Sequence, residues 1–280
     1  MIGVKFIIAD NFLWRHHFKT LLPLTPPFIE PKIDCRKAKK LIKKNKAYFI
    51  RWESNFDNGK PSNWWHIIKD SSEDLMALSR NTRNQIRRGS KHFNVHLCDQ
   101  DFIAQNTYSI YRDTFNSYST FEKILSEEEF KDQIINLPSF TEFWVIKNIE
   151  SHEIVGFSEN ILLDDSCFYN TIWILPGARK KYAGYLLFHI MNKYYLNEKG
   201  LKYVSDGARS ISHHTNIHEF LQSKFGFRKA YCELNVVYSW NIWLLVMLMY
   251  PFKNLINKLS FLNKASVLLK QEKIRRSFEK

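Results

Sequence analysis

At 280 residues the chain is long enough for one large α/β domain or two small ones, with a substantial core. Its 45% hydrophobic and 25% charged residues exclude a disordered chain, and only 9 Gly and 8 Pro exclude a linker-rich or low-complexity one. A formal charge of +13 favours a polyanionic ligand (a phosphate-bearing nucleotide cofactor, nucleic acid or an anionic membrane surface), with a generally basic, AT-rich proteome as the plain alternative.

Four cysteines, Cys35, Cys98, Cys167 and Cys232, lie far apart with neither zinc nor disulfide spacing, so a reduced, cytoplasmic environment is expected. Lys5 and Asp10 interrupt the apolar residues at the N-terminus, and no small-residue cleavage site follows, so a secretory leader is not expected.

Residues 1–46 hold Pro23, Pro26, Pro27 and Pro31, then a basic run over 36–46 (RKAKKLIKKNK) that reads as a solvated helix or a binding patch. Residues 47–52 (AYFIRW) and 64–69 (WWHIIK) read as strands, with the polar stretch 53–63 and its Asn58-Gly59 as the turn between them. Residues 70–91 read as a helix capped by Ser71 or Ser72, with Glu73 and Asp74 in its first turn and Gly89 near its end. Leu75, Leu78, Thr82 and Ile86 share one face, while Arg80, Arg83, Arg87, Arg88 and Lys91 crowd the others. With no acidic residue between Arg80 and Phe93, that basic surface is either solvated or a phosphate contact.

From 94 the order becomes regular. A short strand over 94–98 precedes helices over 102–117 and 126–137, the second with Ser126 and Glu129 spaced as a capping box. Strands follow at 141–148, 154–163 and 167–175, turned by 151–153 and Asp164-Asp165. A helix over 180–198 stops before Lys199-Gly200, and a strand at 203–206, a helix at 214–225 and one or two strands over 229–239 complete the pattern. Strands alternating with helices in this way predict an α/β fold, a mixed sheet covered by helices. Beyond it, 242–250 (IWLLVMLMY) is apolar throughout, but a span needs about 20 such residues. Extending it backwards takes in Asn241, Ser239 and Asn235, so a span is not expected; with the basic tail after it, the segment reads as a peripheral anchor or as a helix packed on the N-terminal addition or a second subunit.

The order of elements and two local motifs resemble the GNAT acyltransferases. The family's [QR]-x-x-G-x-[GA] turn before its longest helix corresponds to Arg179, Lys180, Lys181, Tyr182, Ala183 and Gly184, with Tyr182 in the first glycine's place. Such a turn has a physical use: the unsatisfied N–H groups and dipole of a helix N-terminus bind phosphate oxygens. Residues 215–227 (TNIHEFLQSKFGF) resemble the helix that ends in Y-x-K-x-G-F, with Lys224, Gly226 and Phe227 matching and Gln222 in the tyrosine's place. The resemblance implies a GNAT fold and an acetyl-CoA or other acyl-CoA co-substrate. Its pyrophosphate would be held at 179–184, and its pantetheine arm by Thr215 or Asn216. A leaving-group acid at Gln222 is not implied.

A narrower resemblance, over Leu78–Gly89 (LSRNTRNQIRRG), is to the FemAB-like members of the superfamily, some of which use aminoacyl-tRNA. Together these imply a FemAB-like strand-and-helix addition over 1–93, a GNAT domain over 94–240 and an apolar, basic helical tail over 241–280. The superfamily binds its donor where two parallel strands splay, here expected between 167–175 and 203–206. Asp206 and the following His213-His214 are then candidate general bases, with Glu159 a second choice. A solvent-facing carboxylate and a loop histidine bound to backbone are the plain alternatives. No metal site is expected, because adjacent histidines such as His16-His17 and His213-His214 point apart.

Three readings follow. The first is acyl transfer from acyl-CoA to an amine or hydroxyl of a small molecule, glycan or peptide, in envelope or polysaccharide metabolism. The second is FemAB-like transfer from aminoacyl-tRNA, and the third a non-catalytic GNAT-fold module at the membrane. A cytoplasmic location is expected, peripheral on the inner face of the membrane through the basic tail.

Overall fold

The structure, a computed structural model, describes residues 5–9, 12–17, 19–117, 123–211, 216–257, 259 and 262–279. The chain begins with β1 (Lys5–Ala9), β2 (Phe12–His17), β3 (Thr20–Pro23), α1 (Cys35–Lys44), β4 (Phe49–Ser54) and β5 (Trp65–Lys69). Its middle holds α2 (Arg80–Ser90), β6 (Phe93–Cys98), α3 (Gln100–Asn106), α4 (Tyr108–Phe115), α5 (Glu127–Ile135), β7 (Thr141–Asn148), β8 (Ile154–Leu163) and β9 (Ser166–Ile174). Then come α6 (Pro176–Lys180), α7 (Ala183–Asn192, continued by a π-helical stretch, Lys193–Glu198), β10 (Tyr203–Ala208), α8 (Ile217–Phe225) and β11 (Arg228–Tyr231). The chain closes with β12 (Glu233–Tyr238), α9 (Trp240–Met249), α10 (Lys253–Ile256) and α11 (Asn263–Arg276).

Packing divides the chain into two compact units that interleave in sequence. One comprises Ile67–Gly207 and Asn216–Arg228; the other comprises Gly3–His66, Ala208–Thr215 and Lys229–Lys280. Residues 67–93 therefore group with 94–207, while 229–240 group with the two ends of the chain.

The first unit is built on the seven-stranded sheet β11-β5-β10-β9-β8-β7-β6, of which β5 and β11 run across the unit boundary in sequence. β6 to β9 are antiparallel neighbours, and β9 pairs β10 in parallel. Four successive residues of β7, Phe143 to Ile146, are buried, which requires cover on both faces because side chains alternate. Phe143, Val145 and Phe157 pack with Ile103, Tyr111, Leu125, Phe130 and Ile134 of the α3–α5 side. On the opposite face Trp144 donates its indole N–H to Tyr195 Oη at 3.0 Å, beneath the α7 helix. Each large apolar side chain so buried contributes about 1.5–3 kcal/mol.

The second unit carries the five-stranded sheet β1-β2-β3-β4-β12. The basic run at 36–46 is helical, as α1, and Ala38 and Ile42 turn one of its faces into a core with Trp14, Leu21 and Ile50. A second core gathers Trp64, Cys232, Leu234, Val236 and Tyr238 with Val246 of α9.

Several expectations are corrected. β4 and β5 do not form a hairpin: β12 lies antiparallel along the whole of β4, from Glu233 opposite Ser54 to Tyr238 opposite Phe49, and β5 belongs to the other sheet. Of the one or two strands expected over 229–239 there are two, β11 and β12, one in each sheet. The helix expected over 70–91 occupies only Arg80–Ser90. Its cap is Ser79, whose Oγ accepts from Thr82 N at 3.1 Å. Upstream, Asn197 holds both backbone groups of Glu73 at 2.8 Å, which keeps that stretch out of a helix. Gly89 lies inside α2 rather than ending it. The helix expected over 102–117 breaks at Thr107, whose hydroxyl returns to Ile103 O at 2.8 Å. The helix expected from Lys180 begins at Ala183, after the separate turn α6.

A buried charge cluster lies within the first unit. Lys69 Nζ is 3.4 Å from Glu73 Oε2 and donates to Phe225 O at 3.0 Å. Glu73 Oε1 is 2.9 Å from His189 Nδ1, and Asn192 donates to Oε2 at 3.4 Å. Lys69 also meets the carbonyl end of α8, the negative end of that helix dipole. Removing one member leaves the other's charge buried without compensation. Glu73→Ala is therefore expected to destabilise the first unit by about 3–5 kcal/mol, read from denaturant unfolding, whereas Glu73→Gln should cost less because hydrogen bonds survive.

Candidate active site

The site begins with a fork in the sheet. β9 and β10 are in parallel register only from Tyr203 opposite Ser166 to Ser205 opposite Phe168. Beyond that, β9 runs on to Ile174 with its register given to β8, and β10 runs on to Ala208. β9 also carries a bulge: Thr171 stands opposite Glu159 and Tyr169 opposite Asn160, so Asn170 is one residue in excess. A bulge bends its strand and re-aims the side chains beside it. Asn170 uses its amide to donate to Glu159 Oε1, which ties that buried carboxylate to the bulge.

Asp206 is the first β10 residue past the paired stretch. Its Oδ2 stands 3.2 Å from Nε2 of His218 on α8, the side chains being 12% and 15% exposed. Burial pushes the Asp206 carboxyl above the ordinary carboxylate range, and the hydrogen bond and charge of His218 work against that rise. The pair thus joins a carboxylate to an imidazole beside the fork, an arrangement suited to taking up a proton. His218 was not singled out from sequence, yet a signal existed. His218, Leu221 and Phe225 lie at i, i+3 and i+7, and the last two are core residues.

At the far end of β9, the helix α7 starts at the predicted turn. Tyr182 is in the left-handed region, φ 67° and ψ 23°, the conformation for which glycine is the usual residue. Arg88 of α2 holds it there, its guanidinium 4.7 Å over the Tyr182 ring and Nη1 donating to Tyr182 Oη at 3.1 Å. Ala183 is buried and Gly184 half-buried; a Cβ on Gly184 would lie 3.7 Å from Ile174 Cδ1, an ordinary contact. Tyr185 N and Leu186 N both donate to Tyr182 O, at 3.1 and 3.3 Å, so Ala183 and Gly184 carry the N–H groups that have no acceptor within the helix. Lys180 and Lys181 are exposed beside them, and Arg179 Nη2 donates to Ser117 Oγ at 3.2 Å.

Helix α8 flanks the fork on another side. Asn216 stands at its N-cap, exposed and without a side-chain cap bond, while Thr215 and His214 lie outside the described residues. Gln222 donates to His218 O at 3.1 Å, so its amide is turned to its own helix. Lys224 is in the last turn, and Gly226 ends the helix in the left-handed conformation, as expected. α7 and α8 meet through Tyr185 and Phe220, ring centroids 4.9 Å apart, and α7 meets β9 through Phe188 and Tyr169 at 5.9 Å. Asp206 and His218 thus meet just past the paired stretch, Asn216 heads the helix that carries His218, and the 182–184 turn lies beside Ile174 at the far end of β9. Glu159 is held within the sheet at the bulge. Among the described residues no group of three or more His, Cys, Asp or Glu side chains is placed to hold a metal.

α2 lies directly against this turn. Gly89 permits the approach, since a Cβ there would stand 2.8 Å from Tyr182 O and 3.3 Å from Leu186 Cβ. Arg80, Asn81, Arg83, Asn84 and Arg87 line a surface hollow on the same helix.

No protein-family model and no curated protein matches this chain. Among solved structures it is similar to FemX, with TM-score 0.53 and 12% identity over 78% of this chain and 81% of that one. It is also similar to the C-terminal domain of a protein described as a lysylphosphatidylglycerol synthetase from Agrobacterium fabrum. There the TM-score is 0.52 with 10% identity, over 87% of this chain and 86% of that one. The likeness is one of fold. The chain has a mixed α/β architecture of the kind seen in FemX.

The strain at Tyr182 can be weighed. A left-handed non-glycine residue costs about 1–2 kcal/mol, and a cation–π contact at a partly exposed ring returns about 0.5–1 kcal/mol. Tyr182→Gly is therefore expected to change unfolding free energy by less than about 1 kcal/mol, in chemical denaturation. A loss of several kcal/mol would mean that the ring carries packing beyond its contact with Arg88.

Proposed function

We propose that this chain is a GNAT-type acyltransferase, an enzyme that moves an acyl group, acetyl in the simplest case, from acyl-CoA to an amine or hydroxyl of a small-molecule, glycan or peptide acceptor. The observation that carries this reading is the fork, with a carboxylate–imidazole pair just past the last paired residues and a helix N-terminus among cations at the end of the longer strand. The start of α7, with Arg179, Lys180 and Lys181, suits the donor pyrophosphate. Thr215 or Asn216 is the proposed contact for the pantetheine arm, and Lys224, in the last turn of α8, is a further donor-binding candidate.

In this reading Asp206, paired with His218, receives the proton that the acceptor nitrogen or oxygen loses as it bonds to the acyl carbon, and the C–S bond breaks as the sulfur departs. Gln222 is an amide and supplies no proton, so the sulfur leaves as thiolate or is protonated by water. Glu159 is the weaker base because Asn170 already occupies it; His214, outside the described residues, is retained as an alternative base. Peripheral attachment to the inner face of a cytoplasmic membrane belongs to this proposal, supported by the apolar α9 and the basic tail. Among the described residues no helix is long and apolar enough to cross a membrane.

Titration calorimetry with acetyl-CoA tests donor binding. Gly184→Glu should abolish it without unfolding the protein, because the added Cβ meets only ordinary contacts. An absence of binding to any CoA ester would remove this reading. For the base, Asp206→Asn should lower kcat by about 10²–10⁴-fold. Activity needs the ionised carboxylate, so it falls as pH drops through a pKa that burial has raised. The acid limb of kcat/KM should accordingly lie above the ordinary 3.8 and vanish in Asp206→Asn.

A second reading keeps the fold and takes aminoacyl-tRNA as donor. The surface hollow lined by Arg80, Arg83 and Arg87 on α2 favours it. It predicts a tRNA gel shift that weakens steeply with added salt. No shift at low salt would exclude it.

A further inference from the structure

Helix α9 (WNIWLLVMLM) carries apolar residues all round, yet only Val246 is buried. Trp240 is 71% exposed, Trp243 53% and Leu248 64%, and the apolar surface continues through Phe252 and Leu255. The spacing 240, 244, 248, 252, 255 runs as one stripe through α9 and the turn into α10. A contiguous apolar surface of this kind on a folded protein marks a surface that something covers. Ten helical residues reach about 15 Å, half the hydrocarbon thickness of a bilayer, so the helix cannot span one.

Charge indicates what covers it. From Trp240 to Gln271 the sequence holds Lys253, Lys258, Lys264 and Lys270 and neither Asp nor Glu. Lys253 Nζ stands 4.3 Å and the Arg276 guanidinium 4.0 Å from the centre of the Tyr250 ring, and Arg276 Nη2 is 3.2 Å from Met247 Sδ. Cations thus stand at the edge of the apolar stripe. The acidic groups of the tail are already engaged, Glu272 by Arg275 and Arg276, and Glu279 by Arg275. An apolar stripe with tryptophans at one end and a cationic rim is complementary to a surface that is apolar beneath and anionic at its face. That is an acidic lipid bilayer, where indole rings favour the interface and each basic residue gains from the surface potential.

We infer that α9 lies flat in the headgroup region of an anionic membrane, with Trp240, Trp243, Leu244 and Leu248 turned into the acyl boundary and Lys253 at the level of the lipid phosphates. The inference rests on the proposed peripheral attachment and names the face that makes it.

The full chain is floated with phosphatidylcholine vesicles, with and without a minority of phosphatidylglycerol, beside Leu244→Ser/Leu248→Ser and Lys253→Ser. Both leucines are exposed, so an unchanged Tm is expected and shows that the variant is folded. Wild-type protein should float with the anionic vesicles only, and the leucine variant should bind on the order of tenfold more weakly, with Lys253→Ser reduced by a smaller factor. If the leucine variant floats like the wild type, α9 is not the docking face, while attachment by the tail survives. If the wild type does not float at all, attachment and docking fall together. A dimer in sedimentation that the leucine variant dissolves, without vesicle binding, would assign the stripe to self-association and overturn the inference.

Discussion

The fold of the first unit depends on a parallel strand pair that parts after three residues. Up to Ser205 and Phe168 the two strands satisfy each other. Past that point, their facing N–H and C=O groups need another partner, because backbone polar groups are too costly to bury unpaired. A fork of this kind exposes main-chain donors and acceptors at the centre of an otherwise buried sheet. The bulge at Asn170 lies on the parting strand, and bulges bend strands.

The helices beside the fork are held by polar interactions buried under them. Lys69 meets the last carbonyl of α8 and, through Glu73, reaches His189 and Asn192 of α7. One ion cluster thus connects both helices to the edge of β5. Burying a lysine and a glutamate is rarely the most stable solution, since apolar residues of equal volume often do as well or better. What the cluster does provide is a directional constraint: each partner has a fixed geometry that a greasy contact would lack. The turn at Tyr182 has a similar character, a strained backbone position stabilised by the Arg88 stack and by the close packing that Gly89 allows.

Much of this was legible in the residues. The apolar runs of β7, β8 and β9, the capping box of α5 and the glycine that ends α8 are local signals with local causes, and they stand where periodicity and capping chemistry put them. The cationic turn at 179–184 was visible too, because a basic loop opening a long helix is a sequence feature. The residues before α1 were not legible, since the strands β1 to β3 are short and owe their pairing to one another rather than to propensity. The helix expected over 70–91 failed in its first half because Asn197, more than a hundred residues away, competes for the backbone of Glu73.

The sequence by itself determined the alternation of strands and helices, the basic character of the chain and the cationic turn that precedes α7, because each follows from composition or spacing within one turn or strand. Only the tertiary structure decided that β4 and β5 belong to different sheets, that Asp206 is paired with His218, that Glu159 is occupied by Asn170, and that α9 leaves its apolar stripe outward. Pairing in sheets and between side chains depends on which distant segment arrives alongside, and no local pattern encodes that choice.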